Sequence, residues 1–251
     1  MQSKISSDKN LFILLTGLVL VITLIMTIWL EFRLVNAFIV EHVVLGSIAF
    51  FVGAVALISR KGSALHKLYG QLFYGLMTAS CVLTLIVASM PFHISFSMFQ
   101  ISVMSLYFLI GGKRSLQFRK SDHQFLVDKI LAYVVIVVSL YVMLYSVVLD
   151  GTFYPLRTVF GVVGCGFALV DLFLFKKIKN IQKHWLSFHL SKMTAGYTTA
   201  VTGFFVAQNI LGGYYNWFTP TVVCLFFIFY SIFKLNKNKQ KHSVHTSGLA
   251  N

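Results

Sequence analysis

The chain alternates long apolar runs with short polar connections, and each run approaches the roughly 20 residues that an α-helix needs to cross a ~30 Å hydrocarbon layer. Runs over 11–30, 38–58, 68–90, 94–110, 130–149, 156–175, 190–211 and 217–233 predict eight spans. Pro91, Pro155 and Pro220 fall in connections or first helical turns, where a missing N–H is tolerated, so no span is expected to be broken by proline. The first run follows a weakly basic start, as a signal peptide does, but it is long and no small-residue cleavage site follows in IWLEFRLVN. It is read as a retained helix. The predicted fold is therefore all-α, a polytopic transmembrane helix bundle filling residues 1–233, with a basic tail over 234–251 that is expected to be disordered.

Composition agrees. Hydrophobic residues make up 57% and charged residues 11%, against about 25% charged in a soluble domain. The net charge of +14 raises nucleic acid as a partner, but its distribution excludes that reading. All of the 21 lysines and arginines except Arg33 and Arg157 fall in alternate connections and at the two termini. The positive-inside rule then predicts both termini in the cytoplasm, with the bilayer and anionic lipids at the cytoplasmic face as the partners of the basic loops. Cys81, Cys165 and Cys224 each lie in an apolar run with no Cys-x-x-Cys pair, and read as buried small hydrophobes.

Ionisable side chains in or beside spans are costly to keep without partners, so they are the candidates for chemistry. They fall at two depths. His66, His184, His189 and Lys192 stand at the inner surface with Asp171 a turn inside; Glu31, Glu41, His42, His93, Asp150 and Arg157 stand at the outer one. Steps of three and four residues from His42 meet Gly46, Ala49, Gly53 and Ala56, a strip of small side chains that suits close helix packing or a flat partner. His66 repeats the arrangement with Gly70, and His189 continues through Met193, Gly196 and Ala200.

A zinc site on one helix is disfavoured. His184 and His189 are five residues apart, whereas chelating imidazoles sit four apart on one face. Histidines on separate helices at matching depth suit a haem b with two axial imidazoles. His66 with His189 or His184 can bracket one near the inner surface, with Lys192, Lys67 or Arg60 pairing with its propionates. His42 has a weaker counterpart in His93.

The stretch EHVVLGSIAFFVGAVALISRKGSALHKLYGQLFYG resembles the opening signature of a bacterial multi-pass family catalogued as domain of unknown function 2306. In that family a span begins His-x-x-x-Gly, and a basic loop leads to a second His and a Gly. QKHWLSFHLSKMTAGY resembles a later element in which His and Trp precede Met or Leu, with Leu186 in that last position. The resemblance covers 42–75 and 182–208, and implies a bacterial inner-membrane location and a shared set of histidines, His42, His66 and His184, rather than a reaction. His189 and His93 match nothing in it.

The leading expectation is a b-type cytochrome-like electron-transfer protein with haem ligated between helices. One rival is a proton-coupled or small-molecule transporter using Glu41, His42, Asp171 and Lys192, although its charges cluster near the surfaces rather than at the midplane. Others are a membrane metal hydrolase, which the two-layer separation of ligands opposes, and an accessory membrane subunit without catalysis.

Overall fold

A computed structural model gives the backbone of residues 2–248, with side chains described continuously for 28–235. Seven α-helices account for nearly all of the described chain: α1 Gln2–Ile58, α2 Ala64–Ser89, α3 Phe96–Arg114, α4 Leu126–Leu144, α5 Pro155–Leu174, α6 Ile178–Gln208 and α7 Tyr215–Gly248. A 3-10 turn, Ser115–Gln117, follows α3, and a π-helical turn, Tyr145–Leu149, extends α4. Ser63 and Ser95 cap α2 and α3 by accepting from the N–H groups of His66 and Met98, and Pro155 opens α5 where its missing N–H costs nothing.

The break expected between the first two spans is absent. Residues 31–37 hold neither glycine nor proline, and α1 runs through them as one helix of 57 residues. At about 1.5 Å per residue that is roughly 85 Å, far more than one bilayer. Its span-like stretch is Ile28–Ile58. The eight-span count, and the return of both termini to one face, rested on a turn at 31–37 and are corrected by this continuity. Two smaller differences reflect the same helical persistence: Pro220 lies inside α7, and the segment expected to be a disordered tail continues α7 as far as Gly248.

Connections between successive helices are short, so neighbours run antiparallel. The turns at 59–63, 115–125 and 175–177 share one end of the bundle, which is rich in lysine and arginine. Those at 90–95, 150–154 and 209–214 share the other. Helix α3 is central, packing on α2, α4, α5 and α6, while α1 closes on α2 and α7 on α6.

The radial distribution is inverted relative to a water-soluble protein. Phe226 and Val148 are 72% and 70% exposed, whereas Gln100, Ser80, Ser105, Asp128, Asp171 and Lys192 are buried. Among the described residues, five helices are long and apolar enough to cross a membrane: the Ile28–Ile58 part of α1, α2, α4 with its π turn, α5 and the start of α7. The protein is a multi-pass membrane bundle. The polar positions of α3 and α6 are turned inward, where their neighbours enclose them.

Candidate functional site

The most concentrated chemistry lies where α3, α5 and α6 meet, toward the basic end. Lys192 on α6 is 4% exposed and its Nζ lies 2.5 Å from Asp171 Oδ2 on α5. Tyr107 on α3 donates its hydroxyl to the same oxygen at 2.5 Å. The ammonium also sits 3.6 Å from the centroid of the Tyr107 ring, a cation–π geometry. Glycines bring α6 this close to α3. A Cβ on Gly112 would meet Met193 at 2.7 Å and Lys192 Cβ at 3.2 Å, and one on Gly196 would meet Leu109 at 2.9 Å.

Lys192 Nζ is a buried atom, and the Asp171 carboxylate is its counter-charge. Removing one partner would leave an uncompensated charge in a low-dielectric interior, a penalty far above that of a surface pair. Beside it is a space of about 10 Å³, with Tyr107, Asp128, Asp171 and Lys192 among its walls. That is room for one water with enough polar partners to hold it.

Across this space a second ionic cluster closes the basic end. Arg114 grips Asp128 with two parallel bonds, Nε to Oδ1 at 2.8 Å and Nη2 to Oδ2 at 2.9 Å. These bonds hold the guanidinium above its ordinary pKa, against the opposing effect of burial. His123 Nε2 stands 3.0 Å from Oδ2, and its ring packs on Phe118 and Phe125.

On the far side of the charged pair the bundle is hollow. Phe108 and Phe167 meet edge to face at 5.1 Å, with Lys192 Nζ 5.4 and 5.8 Å from their centroids. The same two rings line a cavity of about 260 Å³ that extends between α3, α5, α6 and α7 toward the end opposite the basic loops, with His42 and Trp217 on its wall. Hollow, aromatic pair, buried charges, water-sized space and ionic cluster thus succeed one another along the bundle.

Of the histidines singled out from the sequence, His42, His66, His184 and His189 are engaged locally. His42 Nδ1 lies 2.7 Å from Ser80 Oγ, 2.8 Å from Thr84 Oγ1 and 3.1 Å from the Ser80 carbonyl, which joins α1 to α2. The small strip below it packs as helix glue: Ala49 is fully buried, a Cβ on Gly46 would meet Ser80 Oγ at 3.3 Å, and one on Gly53 would meet the Tyr197 ring at 2.6 Å. Gly70, by contrast, faces open space.

His66 Nδ1 is 2.9 Å from the Ala56 carbonyl and His189 Nδ1 is 2.8 Å from the Gly112 carbonyl, tying α2 to α1 and α6 to α3. These two imidazoles lie near enough to interact electrostatically, as do Lys61 and Lys113 with His189. His184 bonds to Asn180 of its own helix at 2.9 Å and sits at a kink, with φ −112° and ψ 16°. Lys192, named as a propionate partner from the sequence, is paired with Asp171. Among the described residues no three His, Cys, Asp or Glu side chains gather to hold a metal ion.

Sequence reasoning placed Asp171 and Lys192 at one depth but did not pair them, and it passed over Tyr107, Asp128, Arg114 and His123. A signal was present, because the chain has seven acidic residues in all, and any acid close to a basic loop needs an account. Comparison of the chain with family models, with curated proteins and with solved structures finds no match to any of them.

Proposed function

We propose that the protein is a proton-coupled membrane carrier in which the Lys192–Asp171–Tyr107 group is the titrating unit between an outer cavity and an inner ionic cluster. The observation that carries this reading is the buried ion pair with solute-sized space on one side and water-sized space on the other. A charge pair inside an apolar bundle is expensive to maintain, and a proton delivered to Asp171 would release Lys192 from it. Lys192 then becomes an uncompensated cation under the Phe108–Phe167 pair, a change large enough to drive rearrangement of the aromatic floor.

In this reading the basic end faces the cytoplasm, in a bacterial inner membrane, with the basic loops against anionic lipid. The C-terminus is then cytoplasmic, and an α1 that crosses once carries the N-terminus to the opposite face. Reporter fusions at both ends test that topology.

The coupling is tested in proteoliposomes with a trapped pH dye and the potential clamped. Wild-type vesicles should discharge an imposed pH gradient faster than protein-free ones, and Lys192→Met and Asp171→Asn should remove the excess rate. Equal rates for wild type and Lys192→Met would end the proposal.

A second reading, haem b held by His66 and His189, is favoured by one observation. A carbonyl oxygen can only accept, so each ring gives its Nδ1–H to the backbone and keeps an Nε2 lone pair for a ligand. Lys61 and Lys113 nearby supply positive charge for propionates. Bound haem would supply one-electron transfer. A visible spectrum of purified protein, oxidised and reduced, tests it: a Soret band lost in His66→Ala supports haem, and a colourless folded protein removes it.

A further inference from the structure

The outer cavity carries more information than its position. Its volume of about 260 Å³ lies just below the ~300 Å³ at which small-molecule sites begin. Among the described residues, no lysine, arginine, aspartate or glutamate lines it. A charged occupant would therefore meet no counter-charge, and its desolvation would go uncompensated.

The polar groups on the wall are mainly hydroxyls, with one imidazole and the Trp217 indole, and several of the hydroxyl donors are already engaged. Thr198, Thr199 and Thr221 donate to the carbonyls of Thr194, Gly196 and Trp217 in their own helices. Each keeps its remaining capacity as an acceptor.

His42 can adopt the same pattern. The Ser80 hydroxyl can donate to the His42 carbonyl at 3.2 Å and the Thr84 hydroxyl to the Ser80 carbonyl at 3.1 Å. Two arrangements fit these distances: a hydroxyl donates to Nδ1 and Nε2 carries the ring proton, or, with the hydroxyl protons placed on the two carbonyls, Nδ1 carries it toward the Ser80 and Thr84 oxygens. In the second, Nε2 is a lone pair without a partner, on a residue that lines the cavity.

We infer that this cavity is a binding site for a neutral, largely apolar molecule carrying a single N–H or O–H donor, which His42 Nε2 accepts. Moving the bound molecule across the membrane depends on the carrier reading, whereas binding it does not.

The test uses tritiated indole, an uncharged apolar bicycle with one N–H, in equilibrium dialysis against the full-length protein in nanodiscs, with empty nanodiscs subtracted. Saturable binding is expected, and N-methylindole, which has nearly the same shape and no donor, should compete at least tenfold less well. His42→Phe should weaken indole at least tenfold. Because His42 also joins α1 to α2, a second variant keeps the outcome interpretable: Gly203 lines the cavity and a Cβ there meets nothing within 4 Å, so Gly203→Leu fills the space without strain and should abolish binding.

Binding is read at equilibrium with no proton gradient and flux in separate proteoliposomes, so wild-type protein that binds indole without discharging a gradient separates failure of the coupling from failure of the site. Absence of saturable binding, equal competition by N-methylindole, or unchanged binding in Gly203→Leu would each overturn the inference.

Discussion

The two halves of the bundle solve opposite problems with the same helices. Toward the basic end, α3, α5 and α6, joined by Asp128 of α4, bring together two carboxylates, a lysine and a tyrosine hydroxyl, and leave space for a single water. Toward the other end the same helices, with α7, leave a cavity some twenty-five times larger and place no fixed charge on it. Charges are tolerated in the first half because each is paired and the surrounding rings exclude competing water. The second half can stand hollow because several of its hydroxyls, those of Ser105, Thr198, Thr199 and Thr221, donate within their own helices. Filling and charge go together, as do emptiness and neutrality.

The largest test of this contrast is Asp171→Ala. Stranding Lys192 should destabilise the bundle by about 3–5 kcal/mol, read as a loss of thermal stability in detergent, while Asp171→Leu with Lys192→Met together should recover most of it. A loss below about 1 kcal/mol would mean that the pair is hydrated, and the contrast would collapse. Asp128→Ala should cost about 1.5–3 kcal/mol through the lost charged hydrogen bonds of Arg114, less than Asp171→Ala because Arg114 can turn to solvent.

A third variant separates packing from charge. Gly53→Val drives a side chain against the Tyr197 and Phe73 rings, 2.6 and 2.9 Å from the first added carbon, and should cost about 1–3 kcal/mol with proton flux per folded molecule unchanged. The smallest effect belongs to the hollow half. Gly203→Ala adds a methyl group to open space on a helix and should stabilise by about 0.4–1 kcal/mol; a destabilisation would show that the cavity wall is tighter than it looks.

Some of this architecture was legible one residue at a time. Apolar run length predicted the cores of α2 to α7 to within a few residues, because a helix that must satisfy its backbone in lipid is fixed by local composition. The small strip below His42 was legible as helix glue for the same reason, since periodicity alone puts Gly46, Ala49 and Gly53 on one face. Local composition misled at 31–37, where Glu31 and Arg33 suggested a turn. Two charges do not break a helix that contains no glycine or proline.

What the sequence determined by itself was a chain that must live in a bilayer as helices with most of its lysines and arginines in alternate connections, since hydropathy and charge are sums over neighbours in the chain. Tertiary structure alone decided that Lys192 meets Asp171 and Tyr107, that Arg114 clasps Asp128, and that a hollow stands above them. Those contacts join residues 14 to 85 positions apart, and which faces of α3, α5 and α6 turn toward one another depends on where glycines let helices approach, a property of pairs of helices and not of any one of them.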